Sequence, residues 1–262
     1  MTGDAGFRRY YRFTYAKKSF IAVDAPPSKS NNQAFVLMQK YLLAKGLIVP
    51  DIIDCNLDLG FMCLSDFGDR LLYDELSADN MTGYYRQAID LLPEIASVSP
   101  SDAQPLPCYD RAFIELELSI FSEWLLEKHL NITLSAQEEN ALQQCFTVLI
   151  DSALDQPQVT MHRDYHSRNL MLLADNRLGI IDFQDAVVGP ISYDVVSLLR
   201  DCYLRWPEEN VQSLLRYFCQ LMTERFSLTG ISLAQWQQWF DLMGLQRHLK
   251  ASGIFARLFY RD

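Results

Sequence analysis

Residues 161–172, MHRDYHSRNLML, set an aspartate two positions after a histidine and an asparagine five positions after that aspartate. A second aspartate, Asp182, follows in IIDFQD. A carboxylate such as Asp164 can take the proton of an attacking hydroxyl once they are about 2.6–3.2 Å apart. An amide oxygen on Asn169 and a carboxylate on Asp182 are hard oxygen donors of the kind Mg²⁺ prefers. The intervening residues read as a device for bringing them together. NLMLL and LGIIDF read as strands and ADNR as the turn between them, since Asp175 and Asn176 both tolerate positive φ. A turn centred between them predicts that Asn169 faces Asp182 at the open end of the hairpin, with Cβ atoms about 4.5–5.5 Å apart.

The pattern H-x-D-x-x-x-x-N followed by D-F matches the core of protein-kinase-like phosphotransferases, where the aspartate is the base and the asparagine and second aspartate hold magnesium. Those tasks fall here on Asp164, Asn169 and Asp182. A different use of the same run is metal-dependent hydrolysis, with His162, Asp164 and His166 holding zinc or manganese. That use leaves Asn169 without a task. His166 and Arg168 share the loop and are candidates for contact with the acceptor, Arg168 because its forked donors suit a carboxylate. Asp185, Tyr193 and Asp201 follow Asp182 and are candidates for the same cleft.

The elements that must position these groups divide by character. VTMH is a short buried strand entering the loop. Residues 1–70 read as a nucleotide-binding lobe of strands and turns, and 71–262 as a helical catalytic and substrate lobe. In FRRYYRF aromatics and arginines alternate with the period of a strand, and FIAVD reads as its returning partner. GDAGFRRYYR stands where a phosphate-covering loop is expected, which nominates Gly3, Asp4, Gly6, Phe7, Arg8 and Arg9 for nucleotide binding. It is not a Walker-type cradle. Where the protein-kinase pattern has V-A-I-K, this chain has IAVD, with Asp24 at the lysine position. The following helix, NQAFVLMQKYLLAKG, also lacks the partnering glutamate, and Gly46 is its expected C-terminal stop. Arg8, Arg9 or Arg12 then become the sources of positive charge for phosphates. FMCLSDFGD reads as a strand entering the connection between lobes, where backbone near Ser65, Asp66 and Phe67 can meet an adenine edge. Past residue 72, YDRAFIELELSIFSEWLLEKHL, EENALQQCFTVLIDSAL, NVQSLLRYFCQLMTERF and LAQWQQWFDLMGLQRHLK all read as helices.

The 262 residues carry a net charge of −10. With no basic stripe, that charge argues against nucleic acid as a partner. No apolar run suggests a membrane span and no leader precedes the first strand, so the expectation is cytoplasmic, with no protein partner. Six scattered cysteines read as buried free thiols.

Together, GDAGFRRYYRF, VDAPPS, LSDFGD, HRDYHSRNLM, IIDFQDAVVGPISYDVVSLLRD and DLMGLQRHLKASGIFARLFYRD resemble the aminoglycoside/choline phosphotransferase family, and within it the bacterial anomeric kinases of N-acetylmuramate and N-acetylglucosamine. The resemblance runs over nearly the whole chain. It implies an α+β, bilobal protein-kinase-like fold, with a small antiparallel β-rich N-lobe and a larger, mainly helical C-lobe. It also implies ATP and Mg²⁺ as cofactors, an amino-sugar acceptor phosphorylated at its C1 hydroxyl, and a place in cell-wall recycling. An aspartate at the lysine position is part of that resemblance. It adds Arg247 and His248 as weaker acceptor candidates, while Trp124 remains a possible ring-stacking residue outside the site. Family members are expected to have a strand before the glycine loop and a helical segment after YRD, which makes a shortened chain an expectation. An aminoglycoside- or choline-type acceptor, or a nucleotide-binding relative without catalysis, are the alternatives.

Overall fold

The computed structural model describes residues 7–100 and 104–260. In chain order the first elements are β1 (Arg9–Tyr15), β2 (Lys18–Asp24), α1 (Asn32–Ala44), β3 (Ile52–Asn56), β4 (Phe61–Ser65), α2 (Leu72–Glu75) and α3 (Met81–Ala96). There follow α4 (Arg111–Ile120), a π-helical stretch (Phe121–His129), α5 (Ala136–Leu154), β5 (Gln158–Met161), a 3₁₀ turn (Ser167–Asn169), β6 (Leu170–Leu172) and β7 (Leu178–Ile180). The chain ends through β8 (Val187–Pro190), α6 (Tyr193–Leu199), α7 (Glu208–Phe226) and α8 (Leu233–Phe259). These elements form two compact units. One holds residues 1–100 and 162–186, the other 101–161 and 187–262.

In the first unit an antiparallel sheet runs in the order β1-β2-β4-β3. Its leading hairpin turns through Ala16 and Lys17, both at positive φ, the tight turn whose twist matches the flanking strands. Phe13 and Phe20 face each other across that hairpin with ring centroids 5.6 Å apart. Two prolines break the chain after β2. Asn31 then caps α1 by accepting the Ala34 N–H, and Phe35, Met38 and Leu42 bury its apolar stripe. The helix ends as the glycine predicts. Gly46 has φ 76°, its N–H donates to Leu43 O, and the Leu47 N–H donates to Leu42 O.

The β6–β7 hairpin also belongs to this unit and carries a correction. The loop is three residues long (174–176), with Asn176 at φ 61°, and Leu170 pairs with Ile180. A type I turn followed by one left-handed residue produces this three-residue loop. The extra residue shifts the register by one. The Ile181 N–H donates to Asn169 O, so Asn169 stands opposite Ile181 rather than Asp182.

The second unit is mainly helical, around Phe218, Trp236, Phe240, Tyr109 and Tyr193, with β5 and β8 paired antiparallel. The expected single helix before residue 130 passes instead from α4 into the π-helical stretch. A Cβ on Gly253 of α8 would lie 2.5 Å from Ile120 O, so only glycine permits this approach. Inside, Tyr109 donates to Glu117 at 2.5 Å, Gln246 donates to Tyr109 at 2.6 Å, and Lys250 reaches Glu117 at 2.7 Å. Burial, with Tyr193 and Glu117 nearby, raises the Tyr109 phenol far above its ordinary pKa and keeps it a donor. All six cysteines are free, but only Cys219 is buried, against the expectation for the rest. Among the described residues no helix is long and apolar enough to cross a membrane.

Candidate active site

The Asp164 loop is fixed from beneath by His162, which is 1% exposed. Its Nε2 lies 2.9 Å from Ile181 O, and its Nδ1 accepts the Asp164 N–H at 3.3 Å. These partners assign the Nε2–H tautomer. With both nitrogens engaged, His162 is not disposed to ligate a metal, which removes the hydrolase arrangement. Among the described residues no cluster of three His, Cys, Asp or Glu side chains could hold a metal. Arg163 sits at φ 77°, a strained conformation for a bulky residue at a loop entrance. Tyr165 is fully buried and donates to Ala88 O at 2.8 Å, anchoring the loop on α3.

Asn169 closes the loop. Its Nδ2 donates to Asp164 O at 2.9 Å, and its own N–H donates to His166 O. That bond fixes the amide, and Oδ1 is the atom of this side chain that could ligate a cation. Directly after the hairpin partner Ile181, the chain turns at Asp182 with φ 64°. That turn takes the chain out of strand geometry immediately after the residue paired with Asn169. Gln184 donates to Asp182 Oδ1 at 2.7 Å and reaches Asp185 Oδ2 at 3.4 Å, bridging the two carboxylates. Among the described residues Asp182 has no ion-pair partner. Paired carboxylates with one amide between them and no countercharge fit a hard dication.

The sheet supplies further groups to this unit. Burial raises the Tyr10 phenol to about 12, with Asp182 and then Asp185 pushing the same way and Arg8 pulling it back. Its hydroxyl therefore lies within electrostatic reach of both carboxylates and of Arg8. The Arg8 guanidinium donates to Asn31 O at 3.1 Å and lies 5.7 Å from the centre of the Phe35 ring. Phe35 in turn stacks on Phe183 at 4.8 Å. Arg9 is paired in register with Asp24, at 3.9 Å and largely exposed. Arg12 is committed elsewhere, to Asp66 at 2.7 Å and Asp69 at 2.6 Å, which corrects its assignment to phosphate.

The other expected residues fall as follows. Ser65 gives its N–H to Asp51 O and accepts the Asp51 N–H on its hydroxyl. The Asp66 side chain accepts from Arg12, Ser19 and the Gly68 N–H. Phe67 packs against Gly179, where a Cβ would come within 2.6 Å of its ring. Phe7 carries the Lys29 ammonium 4.6 Å over its ring. Gly3, Asp4 and Gly6 lie outside the described residues. Arg168 stands over the Tyr73 ring at 5.7 Å, and His166 Nε2 lies 3.4 Å from the Asn169 amide. Tyr193 and Asp201 belong to the second unit. Tyr193 is fully buried, with Arg247 4.5 Å over its ring, and Asp201 accepts the Tyr203 N–H. His248 Nε2 bonds to Arg200 O, and Trp124 carries Lys128 3.6 Å over its ring. Sequence reasoning missed Tyr10 and Gln184. Their signals were an alternation that sets Tyr10 beside Arg8 and a glutamine between two aspartates.

A family model described as the phosphotransferase enzyme family matches residues 1–228. The chain belongs to this phosphotransferase family. Two curated relatives carry the name N-acetylmuramate/N-acetylglucosamine kinase. The one from Pseudomonas putida is 40% identical over all of this phosphotransferase and 76% of its own length. The one from Neisseria meningitidis is 39% identical over 99% of the chain and 78% of its own. Among solved structures, ADP-bound aminoglycoside phosphotransferase APH(2'')-Ib aligns over 99% of the chain and 88% of its own, with TM-score 0.65 and 14% identity. Ethanolamine kinase from Plasmodium vivax aligns over 97% of the chain and 77% of its own, also with TM-score 0.65 and 11% identity. At such identities the likeness carries the fold. The phosphotransferase has the α+β, protein-kinase-like fold, with its antiparallel sheet first and its larger helical part after.

Proposed function

We propose that this phosphotransferase is an ATP-dependent kinase that phosphorylates the anomeric C1 hydroxyl of N-acetylmuramate or N-acetylglucosamine. The observation that carries the reading is the identity of 39–40% to kinases of that name across essentially the whole chain. In this reading residues 1–70 bind nucleotide and 71–262 carry the catalytic and acceptor groups. Asp164, held by His162 and Asn169, takes the C1 hydroxyl proton as the oxygen attacks the γ-phosphorus. The bond from that phosphorus to the ADP oxygen breaks, giving a sugar 1-phosphate and ADP. Asn169 Oδ1 and Asp182 would hold Mg²⁺, which when bound neutralises charge on the phosphate oxygens. Gln184 keeps Asp182 and Asp185 apart from one another's charge. Phe7 and Arg8 serve the phosphates, and the backbone of Asp66 and Phe67 serves the base. His166, Arg168, Asp185, Tyr193 and Asp201 remain the acceptor candidates. The reaction is that of a cytoplasmic enzyme acting on small molecules.

The test is ADP release from ATP and Mg²⁺ with each sugar, beside Asp164→Ala and a sugar blocked at C1 as its methyl glycoside. Turnover that needs both Asp164 and a free C1 hydroxyl is the expected result. Turnover on the blocked sugar would move the acceptor hydroxyl. Turnover only on an aminoglycoside or choline would overturn the sugar assignment.

A further inference from the structure

The protein-kinase pattern neutralises nucleotide phosphates with a lysine on the returning strand, steadied by a glutamate on the next helix. Here the returning strand β2 ends in Asp24, which faces Arg9, and α1 presents Phe35. The chain nonetheless keeps a cation in this neighbourhood. Arg8, immediately before β1, lies against the Phe35 face, and Phe35 is stacked on Phe183, the residue after Asp182. Its terminal nitrogen donates to the carbonyl of Asn31, the cap of α1. Tyr10, the second residue of β1, lies within electrostatic reach of Arg8, Asp182 and Asp185. Arg8 Nε is buried and has no hydrogen-bond partner among the described residues. An arginine donor withdrawn from water and left unsatisfied costs free energy unless an acceptor arrives.

The two arginines within β1 are excluded by their partners. Arg12 is saturated by Asp66, Asp69 and Gly68 O, and Arg9 faces Asp24 on an exposed edge.

We propose that Arg8 is the phosphate-neutralising cation of this enzyme, moved from β2 to the residue that leads into β1, and that Tyr10, Asn31 O and the Phe35 ring replace the missing glutamate as its positioning groups. The inference rests on the nucleotide-binding reading above and makes it specific. An aromatic face and a carbonyl hold a guanidinium without cancelling its charge, whereas a carboxylate would neutralise it. The whole Arg8 charge then remains available to the anionic ligand. Asp24 on β2 follows from the same arrangement, since a lysine there would add a second cation where Arg8 already supplies one.

The experiment measures binding of Mg·ADP and of adenosine by calorimetry, without any acceptor, for wild type, Arg8→Met, Arg8→Lys and Tyr10→Phe. Arg8→Met is expected to weaken ADP at least about tenfold, the loss of one charge-assisted bond, while adenosine changes less than about twofold. Arg8→Lys recovers most of the ADP affinity. Tyr10→Phe, which keeps the ring, weakens ADP by a smaller factor and raises the KM for ATP more than it lowers kcat. A merely structural Arg8 would weaken both ligands alike. That outcome, or an unchanged ratio of ADP to adenosine affinity in Arg8→Met, overturns the proposal. A wild-type chain that binds no ADP defeats the nucleotide reading itself. Failure of both sugars to turn over leaves the Arg8 result readable, because no acceptor is present.

Discussion

Replacing Lys250 with methionine removes the cation from a carboxylate that has almost no access to water. The Glu117 side chain is 4% exposed, its Oε1 lies 2.7 Å from Lys250 Nζ, and its Oε2 accepts from Tyr109. Removing one partner of a buried pair costs about 3–5 kcal/mol, since the remaining charge stays in a medium that solvates it poorly. The surviving Tyr109 bond offsets some of this, as does the 13% exposure on the lysine side, so the lower end, about 3 kcal/mol, is expected. For a chain of this size each kcal/mol moves Tm by about 2–4 °C, which puts the drop at roughly 6–12 °C. Adding Glu117→Gln removes the stranded charge yet keeps an acceptor for Tyr109. The double variant should therefore recover to within about 1.5 kcal/mol of wild type. The assay is thermal unfolding of wild type, both single variants and the double variant under one buffer. A Lys250→Met cost below about 1 kcal/mol, or single costs that simply add in the double variant, would refute the reasoning.

Asp66 gives a pH test. Burial pushes its carboxyl up, but bonds from Arg12, Ser19 and the Gly68 N–H together hold it below its ordinary value. The stability it contributes is full above about pH 3.9 and is lost as pH falls through the depressed value, so Asp66→Asn should flatten the fall of Tm between pH 5 and pH 3. Parallel curves would show that the Arg12 cluster does not carry acid sensitivity. Asn169→Asp loses the Nδ2 donor to Asp164 O and should cost about 1 kcal/mol, a Tm fall of 2–4 °C, together with loss of ADP release. Full activity in that variant would show that the loop needs no strap. Gly253→Ala forces a methyl against Ile120 O, which no rotamer change relieves, and should destabilise by about 1–3 kcal/mol in urea unfolding. A variant within 0.5 kcal/mol of wild type would show that α8 can slide.

Alternation and spacing made the sheet, the Asp164 loop and most helices legible. FRRYYRF and FIAVD had to be strands, and Gly46 had to end α1, because few backbones accept those residues otherwise. The hairpin register was not legible. Asp175 and Asn176 both tolerate positive φ, so the residues alone do not say whether one or both adopt it. The structure gives that conformation to Asn176 only and lengthens the loop by one. Arg12 was misjudged because charge says nothing of a partner 54 residues away. The π-helical stretch at Phe121–His129 escaped because an i→i+5 ladder leaves no apolar period of its own. Tyr10 and Gln184 were overlooked since uncharged groups announce no chemistry until their neighbours are known.

The left-handed backbone at Asp182 narrows what substitution can reach there. At φ 64° the chain admits glycine freely and tolerates asparagine and aspartate, whose short side chains bond locally, but resists the longer or branched residues. Of the admitted three only aspartate carries negative charge. Glutamate, the chemically nearest alternative, would carry a backbone cost of roughly 1–2 kcal/mol at this position before the reaction is considered, as Lys17 and Arg163 do at theirs. The backbone thus adds its own preference for aspartate to that of the chemistry.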